Sequence, residues 1–188
     1  MLSEPVVGER FYGREEVLGL LEKRAQGLKD GYRQNIALTG PSLVGKSSII
    51  RQFLHAIKEE LFIPVCVEVI KEPFGSFAAK FIATALYNAL ESLGEAVEPE
   101  TAPLMERAQR VLPKTYQAIL KVNASCGAGN YDDAYSGLLA LTSLLKSETG
   151  RPCIVILDEF DNLERLGVRN PFLAFGKTSM VAFLAVVA

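Results

Sequence analysis

The chain has little of what several chemistries require. It carries one histidine, His55, and three cysteines, Cys66, Cys126 and Cys153, with no metal-ligand spacing among them. A zinc site needs a set of nitrogen and sulfur donors at short intervals, so none is expected, and nothing orients a Cys–His nucleophilic pair. Cys66 and Cys153 sit in apolar runs, where cysteine packs as a small hydrophobe, and this usage suits a reducing cytosol, so a cytoplasmic location is expected. Charge of one sign is also missing. The net charge is −2 with lysine and arginine scattered, which gives no general basic field for nucleic acid. Long apolar runs are absent too. Met1 to Phe11 contains Glu4 and Glu9 and no apolar core, so no signal peptide is expected, and Met180 to Ala188 is too short to span a bilayer. No internal repeat or low-complexity segment is visible.

What is present is a globular pattern. A hydrophobic share of 49% against 22% charged residues, over 188 residues, predicts one domain with a real core. Pro5 to Arg14 reads as extended and Glu15 to Leu28 as a helix, with Val17, Leu18, Leu21, Ala25 and Leu28 on one face and Asp30-Gly31 as its stop. Asn35 to Thr39 reads as a strand, followed by a helix to about Glu60, and Val65 to Ile70 as a second strand. Ser76 to Leu93 is the most periodic helix, with Phe77, Phe81, Ala85, Ala89 and Leu93 in one row and Ala78, Ile82, Leu86 and Leu90 in the next. Phe74, Phe77 and Phe81 read as core rather than as a base-stacking platform. Two short helices, Leu104 to Leu112 and Lys114 to Val122, flank Pro113. A loop over Cys126 to Asn130 precedes a helix capped by Asp132 or Asp133 and running through Lys146. Cys153 to Leu157 reads as a strand buried on both faces.

One stretch carries specific chemistry. Between the first strand and its helix, Gly40, Gly45, Lys46 and Ser47 fit G-x-x-x-x-G-K-[ST]. Glycines let the backbone turn tightly and bring N–H groups against phosphate oxygens, and the helix start turns its positive dipole end to the same anion. The predicted phosphate-binding residues are Gly40, Pro41, Ser42, Leu43, Val44, Gly45, Lys46, Ser47 and Ser48, with Lys46 reaching the β- and γ-phosphates. The alternative is a glycine-rich turn with a surface lysine. The apolar strand Cys153 to Leu157 ends in Asp158-Glu159, at the end of a strand where α/β sheets bind ligands. Ser47 and Asp158 are expected to hold Mg2+, the acid directly or through water. Glu159 is the expected general base and Lys46 the second catalytic residue. The alternative for the two acids is an acidic helix start. No N-K-x-D run reads guanine, and no D-x-x-G follows a strand.

Gly40 to Ser47 and Ile154 to Glu159 resemble the Walker A and Walker B motifs of P-loop ATPases. Phe11-Tyr12-Gly13-Arg14-Glu15, and Leu157-Asp158-Glu159-Phe160-Asp161 with Leu163 and Leu166, are similar to the AAA+/STAND-like ATPases of archaeal type and to origin-recognition ATPases. The resemblance implies a three-layer α/β P-loop NTPase fold with a mainly parallel sheet, ATP and Mg2+ as ligands, and hydrolysis of ATP. It also implies a nucleotide contact for Phe11, Gly13 and Arg14, the alternative for Arg14 being a first-turn surface arginine. In the resembled fold the strand after Walker B inserts between the Walker A and Walker B strands and ends in a polar residue near the γ-phosphate. Met180 to Ala188 can be that strand, but no polar residue follows it.

The chain is therefore expected to be the N-terminal part of a longer ATPase, incomplete at its C-terminus, with a natural mini-domain as the alternative. Residues 95–150 are expected as a helical insert before the Walker B strand, read as cover for one sheet face in preference to a lid. Two functions stay open: an Mg2+-dependent ATPase acting as a switch or motor, and a nucleotide-binding module that does not hydrolyse. ATP is the expected partner; self-association and further domains beyond Ala188 stay open, nucleic acid lacks support from the net charge, and no membrane is expected.

Overall fold

The apolar run Cys153–Leu157 forms an inner strand of a parallel sheet. A computed structural model of the chain describes residues 13–32, 34–41, 44–57, 61–177 and 182–187. The strands are β1 (Gln34–Thr39), β2 (Ile63–Glu68), β3 (Cys153–Asp158) and β4 (Ala182–Val187). They lie in the order β1-β4-β3-β2, with each neighbouring pair parallel. The late strand β4 thus enters between β1 and β3, pairing Ile36 with Leu184 on one side and Ile156 with Leu184 on the other.

Side chains alternate across a strand, so β3 feeds two cores. Ile154 and Ile156 pack with Leu21, Leu28, Ile49 and Phe53 from α1 (Glu15–Lys29) and α2 (Lys46–Ala56). Cys153, Val155 and Leu157 face the opposite layer, which contains α3 (Phe74–Ser92), α4 (Thr101–Val111), α5 (Pro113–Gly127) and α6 (Tyr131–Thr149). Each fully buried aliphatic or aromatic side chain contributes about 1.5–3 kcal/mol. Helices on both faces explain why Cys153–Leu157 shows no polar alternation. Residues 95–150 supply α4, α5 and α6, which share one core with α3 and β2. Two short helices follow β3: α7 (Asn162–Arg165) and α8 (Pro171–Lys177).

Several boundaries differ from the expectations, each for a physical reason. Strand β2 starts at Ile63, two residues early, although Pro64 is its second residue. The Ile63 amide donates to Pro152 O, so alternation turns the Pro64 nitrogen toward the open edge, where no ladder bond is lost. The Pro64 carbonyl is met there by Asn88 Nδ2 at 2.5 Å. The same alternation leaves Cys66 exposed on this edge strand, whereas Cys153 is buried as expected. Helix α2 stops at Ala56, with Ile57 already extended, and residues 58–60 lie outside the described set. Helix α3 begins at Phe74 because the Pro73 carbonyl accepts from Ser76 N, and Leu93 falls past its end and is exposed. Phe74, Phe77 and Phe81 are buried.

The segment around Pro113 shows how distant contacts set helix length. Helix α5 continues through Cys126 and Gly127, residues expected in a loop. Its face packs on α6 so closely that a β-carbon on Gly137 would come within 2.7 Å of Val122 Cγ2. Helix α6 starts at Tyr131, so neither Asp132 nor Asp133 caps it, and Asp132 Oδ1 instead accepts from Arg169 N at 2.7 Å. The N-terminus of α5 is capped from α6: Glu148 accepts from Lys114 N at 2.8 Å, Thr115 N at 3.0 Å and Thr115 Oγ1 at 2.6 Å. Glu148→Ala would leave these donors unpaired, with Thr115 itself buried. We expect it to lower stability by about 2 kcal/mol, read as a lower urea midpoint at unchanged slope.

Candidate functional site

At the C-terminal edge of the sheet, β1 runs into the glycine loop and α2. Gly45 has φ 89, the left-handed region that a side chain strains, and it stands immediately before the first residue of α2. The first turn of α2 carries no acidic residue and its N-cap makes no side-chain hydrogen bond. With no acidic side chain there, the positive end of its dipole favours an anion. Lys46 is 7% exposed, and its Nζ donates to Gly40 O at 2.7 Å and Pro41 O at 2.9 Å. A buried ammonium needs such partners, and here the loop's own carbonyls hold it beside the helix start. Ser47 and Ser48 are half-buried in the same turn.

The second half of the site comes from β3. Ser47 Oγ donates to Asp158 Oδ2 at 2.9 Å across 111 residues of chain. Strand β4 runs between β1 and β3, and its last residue, Val187, pairs with Thr39 at the end of β1. The other carboxylate oxygen, Oδ1, accepts from Glu159 N at 3.0 Å. Glu159 is half-buried and has φ 55, an uncommon conformation for a residue with a side chain. Burial pushes its carboxyl above the ordinary glutamate range; the negative charges of Asp158 and Asp161 push the same way, and Lys46 opposes them.

No cluster of three or more His, Cys, Asp or Glu side chains suited to a metal occurs among the described residues. Magnesium differs from zinc or calcium here: it keeps several waters and takes one or two protein oxygens plus phosphate. Adjacent ligands of an octahedron at about 2.0–2.1 Å stand about 2.8–3.0 Å apart. The separation of Ser47 Oγ from Asp158 Oδ2 matches that spacing.

Other expected residues fall in different places. Gly13 and Arg14 both have positive φ, 77 and 62, and lead into α1. The exposed Arg14 reaches the glycine loop, donating from Nη2 to Val44 O at 2.5 Å. Phe11, Ser42 and Leu43 lie outside the described residues. His55 is exposed in the last turn of α2, remote in sequence from the loop. A cleft of about 460 Å3 lined by Phe62, Pro64, Asn88 and Arg151 lies at the starts of β2 and β3, the opposite end of the sheet from Lys46 and Asp158.

Sequence reasoning missed one polar residue at this corner. Asn162 is only 9% exposed, and its Nδ2 donates to Val69 O at 2.8 Å. Nothing local marks it, because an asparagine four residues after a strand reads as a loop or helix start. The contact spans 93 residues.

No curated protein and no solved structure matches the chain. A family model does: that of the AAA ATPase domain, over residues 10–169. The match takes in the glycine loop, Lys46, Ser47, Asp158 and Glu159, the residues that the fold gathers at one sheet edge. The match covers most of the sequence and runs through both halves of the site, so this ATP-binding chain belongs to the AAA ATPase domain family.

Proposed function

We propose that the chain is an Mg2+-dependent ATPase that works as a molecular switch or motor. The observation that carries this reading is the 2.9 Å bond from Ser47 Oγ to Asp158 Oδ2, which joins the glycine loop to the acidic strand end. The first-turn N–H groups of α2 and the Lys46 ammonium would bind the β- and γ-phosphates. Ser47 and Asp158 would hold Mg2+, which when bound offsets phosphate charge and orients the terminal phosphoryl group. Glu159 would take a proton from water as the water oxygen bonds to the γ-phosphorus and the bond to the ADP oxygen breaks. The products are ADP and inorganic phosphate, and the proton then leaves Glu159 to solvent. The Phe11–Glu15 run supports adenine contacts by Phe11, Gly13 and Arg14 and a place among the AAA+/STAND-like ATPases of archaeal type. Free thiols at Cys66, Cys126 and Cys153 support a cytoplasmic location.

The direct test is phosphate release from the purified chain with ATP, with and without EDTA. Steady release in Mg2+, lost on chelation and restored by added Mg2+, is the expected result. ATP-dependent thermal stabilisation with no phosphate release would replace this reading with a nucleotide-binding module that does not hydrolyse.

A further inference from the structure

The left-handed conformation of Glu159 is unfavourable for a residue with a β-carbon and persists only where surrounding bonds over-determine it. Those bonds form a closed circuit at the end of β2. Val69 follows the last residue of that strand and is fully buried. Its N–H donates to Asp158 O at 2.9 Å, extending the β2–β3 pairing by one step. Its carbonyl accepts from Asn162 Nδ2 at 2.8 Å. The Asn162 N–H in turn donates to Glu159 O at 3.0 Å. The residues from Asp158 to Asn162 are thus bracketed at both ends by one residue of β2's extension. Arg165 Nη1 lies 3.4 Å from Asn162 Oδ1 and holds the amide with its nitrogen toward Val69. Phe160, within this turn, is fully buried and packs its ring against that of Phe172, tilted by 47° with centroids 4.4 Å apart.

From this circuit we infer that Asn162 is a positioning residue: through Val69 O it fixes the turn that presents Glu159 to the terminal phosphate. Asn162 touches neither nucleotide nor metal in this scheme. It rests on the proposed ATPase reading for its effect on turnover, and on geometry alone for its effect on the turn. Asparagine suits the position because its short amide supplies a donor to the Val69 carbonyl and an acceptor to Arg165 from one buried side chain. Aspartate has the same shape but no donor, and it would set an oxygen against the Val69 oxygen.

The test uses the whole chain with Asn162→Ala and Asn162→Asp. We expect kcat for ATP to fall about tenfold to a hundredfold, the usual consequence of misplacing a reacting group by an ångström or so. The dissociation constant of a fluorescent ADP analogue should stay within about twofold, because Lys46 and the start of α2 are held by other bonds. In the ligand-free protein, exchange of the Glu159 amide, bonded to Asp158 Oδ1, should quicken at least about tenfold. If Asn162→Ala fails to fold, Asn162→Ser, which keeps a hydroxyl too short to reach Val69 O, takes its place with the same expectations. Unchanged kcat in a wild-type chain that does turn over ATP would overturn the inference, as would parallel losses of kcat, ADP affinity and melting temperature, the mark of a merely structural residue. A wild-type chain without Lys46-dependent turnover would overturn the ATPase reading; the amide exchange then decides the positioning of Glu159 by itself.

Discussion

Glu159→Gln is expected to leave a chain that binds ATP and turns it over about 10²- to 10⁴-fold more slowly, the range a positioned general base contributes. Glutamine keeps the shape and the hydrogen-bonding reach of glutamate but cannot accept a proton from water. The exchange also removes one negative charge from a corner that already holds Asp158 and Asp161, so ATP should bind the variant at least as tightly as the parent. Backbone geometry is preserved, since Glu159 N still has Asp158 Oδ1 as its acceptor. Single-turnover hydrolysis with ATP in place, beside equilibrium binding of the same nucleotide, separates the two effects. Unaltered single-turnover rates would remove Glu159 from the role of base.

Lys46→Ala is the second large effect, and it is expected on binding. Lys46 is 7% exposed, and two carbonyls of the glycine loop hold its ammonium beside the α2 N-terminus, so its charge would act on a bound phosphate with little solvent screening. Truncating one partner of a buried, hydrogen-bonded charge pair typically costs about 2–5 kcal/mol, roughly 30- to 4000-fold in Kd. A thermal-shift measurement reads this directly. ADP at about 100 times its parent Kd should stabilise the parent by about 2.7 kcal/mol and the variant by far less. The ligand-free variant should melt close to the parent, because Gly40 and Pro41 lie near enough to solvent for water to replace the ammonium at their carbonyls. Equal nucleotide stabilisation of parent and variant would show that Lys46 does not bind phosphate.

The two halves of the site differ in how far the sequence revealed them. The turn at Gly45-Lys46-Ser47 was legible because its geometry is local: a glycine that can take the left-handed conformation stands directly before the helix start. Asp158-Glu159 was legible as an acid at a strand end, since Cys153–Leu157 is too evenly apolar for anything but a doubly covered strand. Boundaries set by distant partners were not legible. The second strand was expected to open at Val65, and only its edge position explains why Pro64 is tolerated inside it. Asp132 and Asp133 looked like helix caps, but Asp132 is engaged by the Arg169 amide. The thiol of Cys66 looked buried from its apolar neighbours, yet it lies on the less covered face of the edge strand, with Pro64 and Glu68.

By itself, the sequence marked the glycine turn that leads into α2 and determined which strand would cross the centre of the fold. Short-range sterics and hydrophobic periodicity act within a few residues and leave marks a reader can find. Only the tertiary structure decided that Ser47 and Asp158 meet at 2.9 Å and that Asn162 braces the turn of Glu159, whereas the place of β4 between their strands was already implied by the family resemblance. Each of these depends on residues far apart in the chain, brought together by the burial of two sheet faces rather than by any local preference.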